Sequence, residues 1–185
     1  VSDGKIIAIG TNDEILKQYE GEETIDAAGK FIYPGFIDAH AHFLNYGFSL
    51  QQVNLTGTKS WQECIDKVAA FIKEKNIKTG TWVQGRGWDQ NDWDIKEFPT
   101  KDLLDINFPN NPLSLVRIDG HALIANTKAI ELANVQPGQT IAGGTIETIN
   151  GKLTGIMIDN AEDLIFAAVP APTKDEYAIA LSEAQ

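Results

Sequence analysis

Gly29-Lys30-Phe31-Ile32-Tyr33-Pro34-Gly35-Phe36-Ile37-Asp38-Ala39-His40-Ala41-His42 carries an apolar run through a Pro-Gly turn into two histidines separated by one alanine. Side chains two apart on a strand leave the same face. A strand over Phe36 to His40 therefore aims both imidazoles at one point beyond its carboxyl end, which suits two ligands of one divalent metal. The chain has three histidines in 185 residues, so chance supplies an i,i+2 pair only about 0.05 times. The alternative is two histidines in a turn, satisfied by neighbouring carbonyls. Zinc takes three or four protein ligands in its usual sites, so the pair alone is short of a complete set.

Asp38 shares the strand face of His40 and His42. It is a candidate to hold an imidazole in one tautomer, with an inward structural role as the alternative. The third histidine, His121, follows Asp119-Gly120 at the end of the apolar run Leu113 to Ile118. Chain reversals after such strands line crevices in α/β folds. His121 is thus a candidate to contact substrate, to stabilise its own turn or to add a third metal ligand, and Asp119 is a second candidate to hold an imidazole. The segment Gly85-Arg86-Gly87-Trp88-Asp89-Gln90-Asn91-Asp92-Trp93-Asp94 reads as a polar loop. It has neither a phosphate-loop pattern nor an EF-hand pattern. Arg86 and Trp88 are its candidate pocket liners, against simple packing of the loop on the body. Asp159 is a lone carboxylate with no companion ligand nearby in sequence. No Gly-x-Ser-x-Gly is present, so no serine triad is readable.

Twenty-six acidic against 15 basic residues give a formal charge of −11. The basic residues are scattered, without the stripe that a phosphate backbone requires, so nucleic acid and anionic membrane are excluded as expected partners. No apolar run approaches the ~20 residues of a membrane span. A single cysteine, Cys64, excludes an internal disulfide. It falls on the apolar stripe of a helix and reads as a core filler in a reducing, cytoplasmic setting.

Capping boxes at Thr11/Glu14, Ser60/Glu63 and Thr173/Glu176 open three helices. The middle one runs from about Trp61 to Lys75 on the spacing of Trp61, Cys64, Ile65, Val68, Ala69, Phe71 and Ile72. Lys5 to Ile9, Thr24 to Asp26, Phe31 to Tyr33, Thr81 to Gln84 and Leu113 to Ile118 read as strands, and Ala125 to Ala133 as a short helix. Asn150-Gly151 between two alternating runs predicts a hairpin with a type I′ turn. Asp3-Gly4 predicts another, whose preceding strand is missing. The start at Val1 and a last helix without a terminator suggest a piece of a longer protein. Strands alternating with helices give an α/β class with antiparallel additions.

The Gly29 to His42 stretch resembles the amidohydrolase superfamily signature around the first barrel strand. Gly85-Arg86-Gly87-Trp88-Asp89, Asp119-Gly120-His121-Ala122 with Asn126, Gly143-Gly144-Thr145-Ile146 and Gly155-Ile156-Met157-Ile158-Asp159-Asn160-Ala161 are similar to the YtcJ-like branch, amidohydrolase family 3. The resemblance implies the amino-terminal part of a (β/α)8 TIM barrel. Residues 1–33 are then strands of a small β-sandwich domain, and 34–49 the first barrel strand with its metal ligands His40 and His42. Residues 50–161 are then a mixed α+β insertion over the barrel mouth, and 162–185 the start of the first barrel helix. It also implies a divalent metal, zinc foremost, and hydrolysis of amide-type C–N bonds in a small-molecule substrate. The remaining ligands and the general base have no counterpart here, so no catalytic residue is assigned and the 185 residues alone are expected to be inactive. A homo-oligomer is compatible with this picture. The contrasting reading is a non-catalytic module that binds a sugar or a cation through the Trp-rich acidic loop.

Overall fold

The computed structural model describes residues 1–185. They form two compact units, 1–41 and 42–185. In the first unit the Thr11 capping box is present and opens α1 (Asn12–Gln18). The Asp3-Gly4 turn closes a single antiparallel bridge between Ser2 and Lys5, both central residues having positive φ.

The strands expected at Lys5 to Ile9, Thr24 to Asp26, Phe31 to Tyr33 and Phe36 to His40 do not form. A strand exists only through a hydrogen-bonded neighbour and a covered face, and beyond the lone bridge at Lys5 these segments have neither. Phe36 and Ile37 are 91% and 93% exposed, and no residue of the unit is buried. His40 lies in a bend whose turn is closed by Asp38, the carboxylate accepting from the His40 backbone N–H at 3.0 Å. His42 is the residue before α2 (Phe43–Ser49).

The second unit is built on a six-stranded mixed sheet in the order β1-β2-β3-β4-β6-β5. Its strands are β1 (Val53–Asn54), β2 (Val83–Trp88), β3 (Leu113–Arg117), β4 (Ala122–Ala125), β5 (Gly144–Ile149) and β6 (Lys152–Asp159). The first three are parallel, joined through α3 (Trp61–Glu74) and α4 (Asp102–Asn107). The remaining pairings are antiparallel. The Asn150-Gly151 turn has φ of 52° and 75°, as a type I′ turn requires. α3 starts where Ser60 accepts from Glu63 N–H, but Glu63 reaches back to Lys59 N–H, so its box is displaced by one residue.

Two faces of the sheet are packed differently. Val83, Leu113, Leu115, Ile124 and Ile156 turn towards α3 and α4, with Cys64, Ile65, Val68 and Leu104 from those helices. Leu123, Ala125 and Met157 turn towards α5 (Thr127–Leu132) and α6 (Glu162–Phe166). Cys64 is free and fully buried as expected, and burial pushes its thiol up to about 11. Helix α7 (Lys174–Glu183) opens on the Thr173 capping box. It docks on α2, where Gly47 faces Ala180 so closely that a Cβ at 47 would strike the Ala180 carbonyl. Phe48 and Tyr177 meet edge-on there, with 5.1 Å between ring centroids.

Three expectations change within this unit. The Gly85 to Asp94 loop begins as strand, because the pairing of β2 with β3 continues from Gln84 opposite Ser114 to Arg86 opposite Val116; a 3-10 turn over Gln90–Asp92 follows. The strand expected from Thr81 starts at Val83, and Ala125 ends strand β4 rather than starting a helix. Asn126 explains that last switch. Its Oδ1 accepts from the N–H groups of Leu113 and Ala129, both at 3.0 Å, and its amide donates to the carbonyls of Asn111 at 2.8 Å and Phe108 at 3.2 Å. It thus caps α5 and ties three loops while itself fully buried. Asn126→Ala strands all four groups, and each unmade buried bond weighs heavily. Urea unfolding of this variant is expected to show a loss of about 3 kcal/mol.

Candidate functional site

The parallel pairing of β2 and β3 sets Gln84 beside Ser114 and Arg86 beside Val116 on the face opposite α3 and α4. With Gln52, Gly120, Glu162 and Phe166 these residues enclose a pocket of about 260 Å³. Glu162 and Phe166 come from one face of α6, four residues apart. Arg86 donates from its guanidinium to the Ile118 carbonyl at 3.1 Å.

Trp88 does not line this pocket. Strict alternation places it beside Arg86, but the register slips between Arg86 and Trp88. Gly87 occupies the slip at φ +111°, a conformation open to glycine, and a Cβ there would strike Thr56. The bulge turns Trp88 to the other face, where it is fully buried and donates from Nε1 to the Leu115 carbonyl at 2.8 Å.

His121 is exposed at the end of β4's approach turn. Its Nδ1 lies 3.0 Å from Asp159 Oδ1, and its backbone N–H donates to Asp119 at 3.1 Å. Asp119 takes two hydrogen bonds from Arg117, at 2.9 and 2.6 Å, and these hold its carboxyl below the usual carboxylate range. Asp119 thus orders the turn through backbone and guanidinium, while Asp159 meets the His121 ring.

Glu162 is the residue that sequence reading missed. It is 6% exposed and its Oε1 has no hydrogen-bond partner. Burial first, then the charge of Asp159, raises its pKa to about 7, against weaker opposing effects of His121 and Arg86. Nothing in Asn160-Ala161-Glu162-Asp163 signals this, since the burial comes from α6 lying on β4 and β6.

The imidazole donors of His40 and His42 have the chemistry of zinc-type ligands. However, no three His, Cys, Asp or Glu side chains gather anywhere in the 185 residues in a way that could hold a metal. The residues present therefore do not complete a metal centre by themselves.

A carboxyl whose folded-state pKa is raised stabilises the fold below its unfolded value and loses that contribution as pH rises through about 7. Glu162→Gln removes the dependence. Thermal melts are expected to show the variant equal to the parent at ~pH 4 and more stable by up to about 3 kcal/mol at ~pH 8.

The sequence profile of the amidohydrolase family, Amidohydro_3, matches residues 23–185. The protein YtcJ of Bacillus subtilis, assigned as an amidohydrolase, is 32% identical over 181 residues, covering 96% of this chain and 34% of YtcJ. The N-substituted formamide deformylase of Arthrobacter pascens is 32% identical over 173 residues, covering 91% of this chain and 32% of that enzyme. The crystal structure of an uncharacterized metal-dependent hydrolase from Pyrococcus horikoshii superposes with a TM-score of 0.58 at 27% identity, over 82% of this chain and 28% of that one. The chain spans about a third of the length of the curated relatives it matches. With most of its length under the family profile and the His-x-His pair inside the matched region, the chain belongs to the amidohydrolase family.

Proposed function

We propose that the complete protein is a metal-dependent hydrolase that cleaves amide-type C–N bonds in a small-molecule substrate, in the cytoplasm. The observation that carries this reading is the His40-Ala41-His42 pair within the region matched by the amidohydrolase family. In this reading His40 and His42 provide two ligands of a divalent ion, zinc foremost, and residues beyond this chain provide the others. The ion, when bound, supplies Lewis acidity towards a carbonyl and lowers the pKa of water. The backbone bend closed by Asp38 fixes the main chain at His40, and α2 orders the chain directly after His42. Residues 1–33 then belong to a small β-domain, 34–49 to the first barrel strand, 50–161 to an insertion over the barrel mouth and 162–185 to the first barrel helix. The exposed apolar residues of 1–41, Phe31, Ile32, Phe36 and Ile37 among them, support this division, because they are surface that a larger protein covers. His121, exposed beside Asp159, is the candidate substrate contact of this reading on this chain, whereas Arg86 lines the separate pocket of about 260 Å³. No helix is long and apolar enough to cross a membrane.

In the complete coding sequence, His40→Ala and His42→Ala are each expected to lower bound metal at least tenfold, and hydrolysis of N-substituted formamides or related amides by more than about a hundredfold. Metal analysis and turnover read this, with circular dichroism unchanged. Turnover by residues 1–185 alone would contradict the division of the site.

One observation favours the second reading, a sugar- or cation-binding module. Trp61 and Trp93, with ring centroids 6.1 Å apart, line a pocket of about 360 Å³ together with Asp94 and Glu97. Saturable monosaccharide binding that Trp93→Ala abolishes, in a protein indifferent to His40→Ala, would establish that module instead.

A further inference from the structure

A sheet face covered by helices is ordinarily apolar, and Leu123, Ala125 and Met157 keep that rule beneath α5 and α6. On the same face β2 and β3 break it with Gln84, Arg86 and Ser114, the residues that enclose the 260 Å³ pocket. Two polar groups on its walls have no protein partner. They are Glu162 Oε1 and Ser114 Oγ, in residues 6% and 1% exposed. Unmade bonds at such burial are costly, and a bound ligand is one way such a deficit is made good.

The charges on the walls are also unmatched. Glu162 and Arg86 have opposite sign, yet no ion pair joins them. Arg86 spends one N–H on the Ile118 carbonyl and keeps its remaining donors. A molecule that satisfies both walls must bring a cationic donor to Glu162 and an anionic acceptor to Arg86. The small volume restricts it to the size of an amino acid.

We propose that the pocket between β2, β3 and α6 binds a small zwitterion, a free α-amino acid, with its ammonium on Glu162 and Ser114 and its carboxylate on Arg86. Three ammonium hydrogens match the two unpartnered oxygens and the side-chain oxygen of Gln84. The planar guanidinium suits a carboxylate in forked geometry. The site lies wholly within residues 42–185, requires no metal and goes beyond the hydrolytic reading without depending on it.

Titration calorimetry of the protein with alanine at ~pH 8, with a chelator present, tests the site. Alaninamide, which lacks the carboxylate, and propionate, which lacks the ammonium, serve as matched probes. Alanine is expected to bind saturably at about 1 mM or tighter, and each control at least tenfold more weakly. Glu162→Gln and Arg86→Met are each expected to weaken alanine at least tenfold with circular dichroism intact, and Arg86→Met to leave alaninamide unchanged. Absence of alanine binding up to about 10 mM would overturn the proposal. So would equal affinity for alanine and either control, or alanine binding unaffected by either substitution. Should a variant fail to fold, the three-probe comparison on the parent protein decides alone. Loss of metal or turnover in the His40→Ala protein with alanine binding retained separates this site from the hydrolytic one.

Discussion

The parallel pairing of β2 with β3 is the constraint on which the second unit depends. Val83 opposite Leu113 and Gly85 opposite Leu115 fix which residues join the α3 and α4 core. The same register leaves Gln84, Arg86 and Ser114 on the other face, since a strand has only two sides. Gly85 shows how little slack the pairing has, because a Cβ there would press on both Leu115 and Val53. A slip of one position would set Arg86 beside Leu115 on one face, so that either the guanidinium lies under α3 or the leucine faces the pocket. The polar pocket is therefore a product of register, with α6 supplying its roof.

Within that register, one irregularity sorts two neighbouring side chains into different roles. Gly87 absorbs an extra residue, so Arg86 stays at the pocket while Trp88 enters the core against Trp93 and Phe98, at centroid distances of 6.0 and 6.3 Å. The indole is then satisfied by a strand carbonyl and stiffens the far side of the sheet. A tryptophan two residues from a charged pocket residue is here a structural support.

The sequence revealed elements whose cause is local. The capping residues Thr11, Ser60 and Thr173 sit where helices begin, and Asn150-Gly151 sits at the hairpin, because those side chains and turns act on backbone within a few positions. Cys64 was legible from the stripe it shares with Ile65 and Val68. The segments Phe31 to Tyr33 and Phe36 to His40 have strand-like composition but no pairing partner within the 185 residues, and pairing is a property of distant chain. Strand β4 was missed because Ala122 to Ala125 is short and its end is set by Asn126, three of whose four side-chain bonds reach back to residues 108–113. Of the pocket, Arg86 was readable and Glu162 was not. Its neutral-range carboxyl arises from packing between elements, which leaves no trace in residue spacing.

Helices α2 and α7 grip each other through a glycine so tight against Ala180 that no side chain fits between them. They are the first and last elements of the unit, and synthesis proceeds from the amino terminus. The segment that follows His42 is therefore made first and clasped last, only once residues 174–183 have emerged. Until then Gly47 and Phe48 lack the partners that Ala180 and Tyr177 supply. The order of appearance delays fixation of the chain beside His42 until the whole sheet exists to hold it.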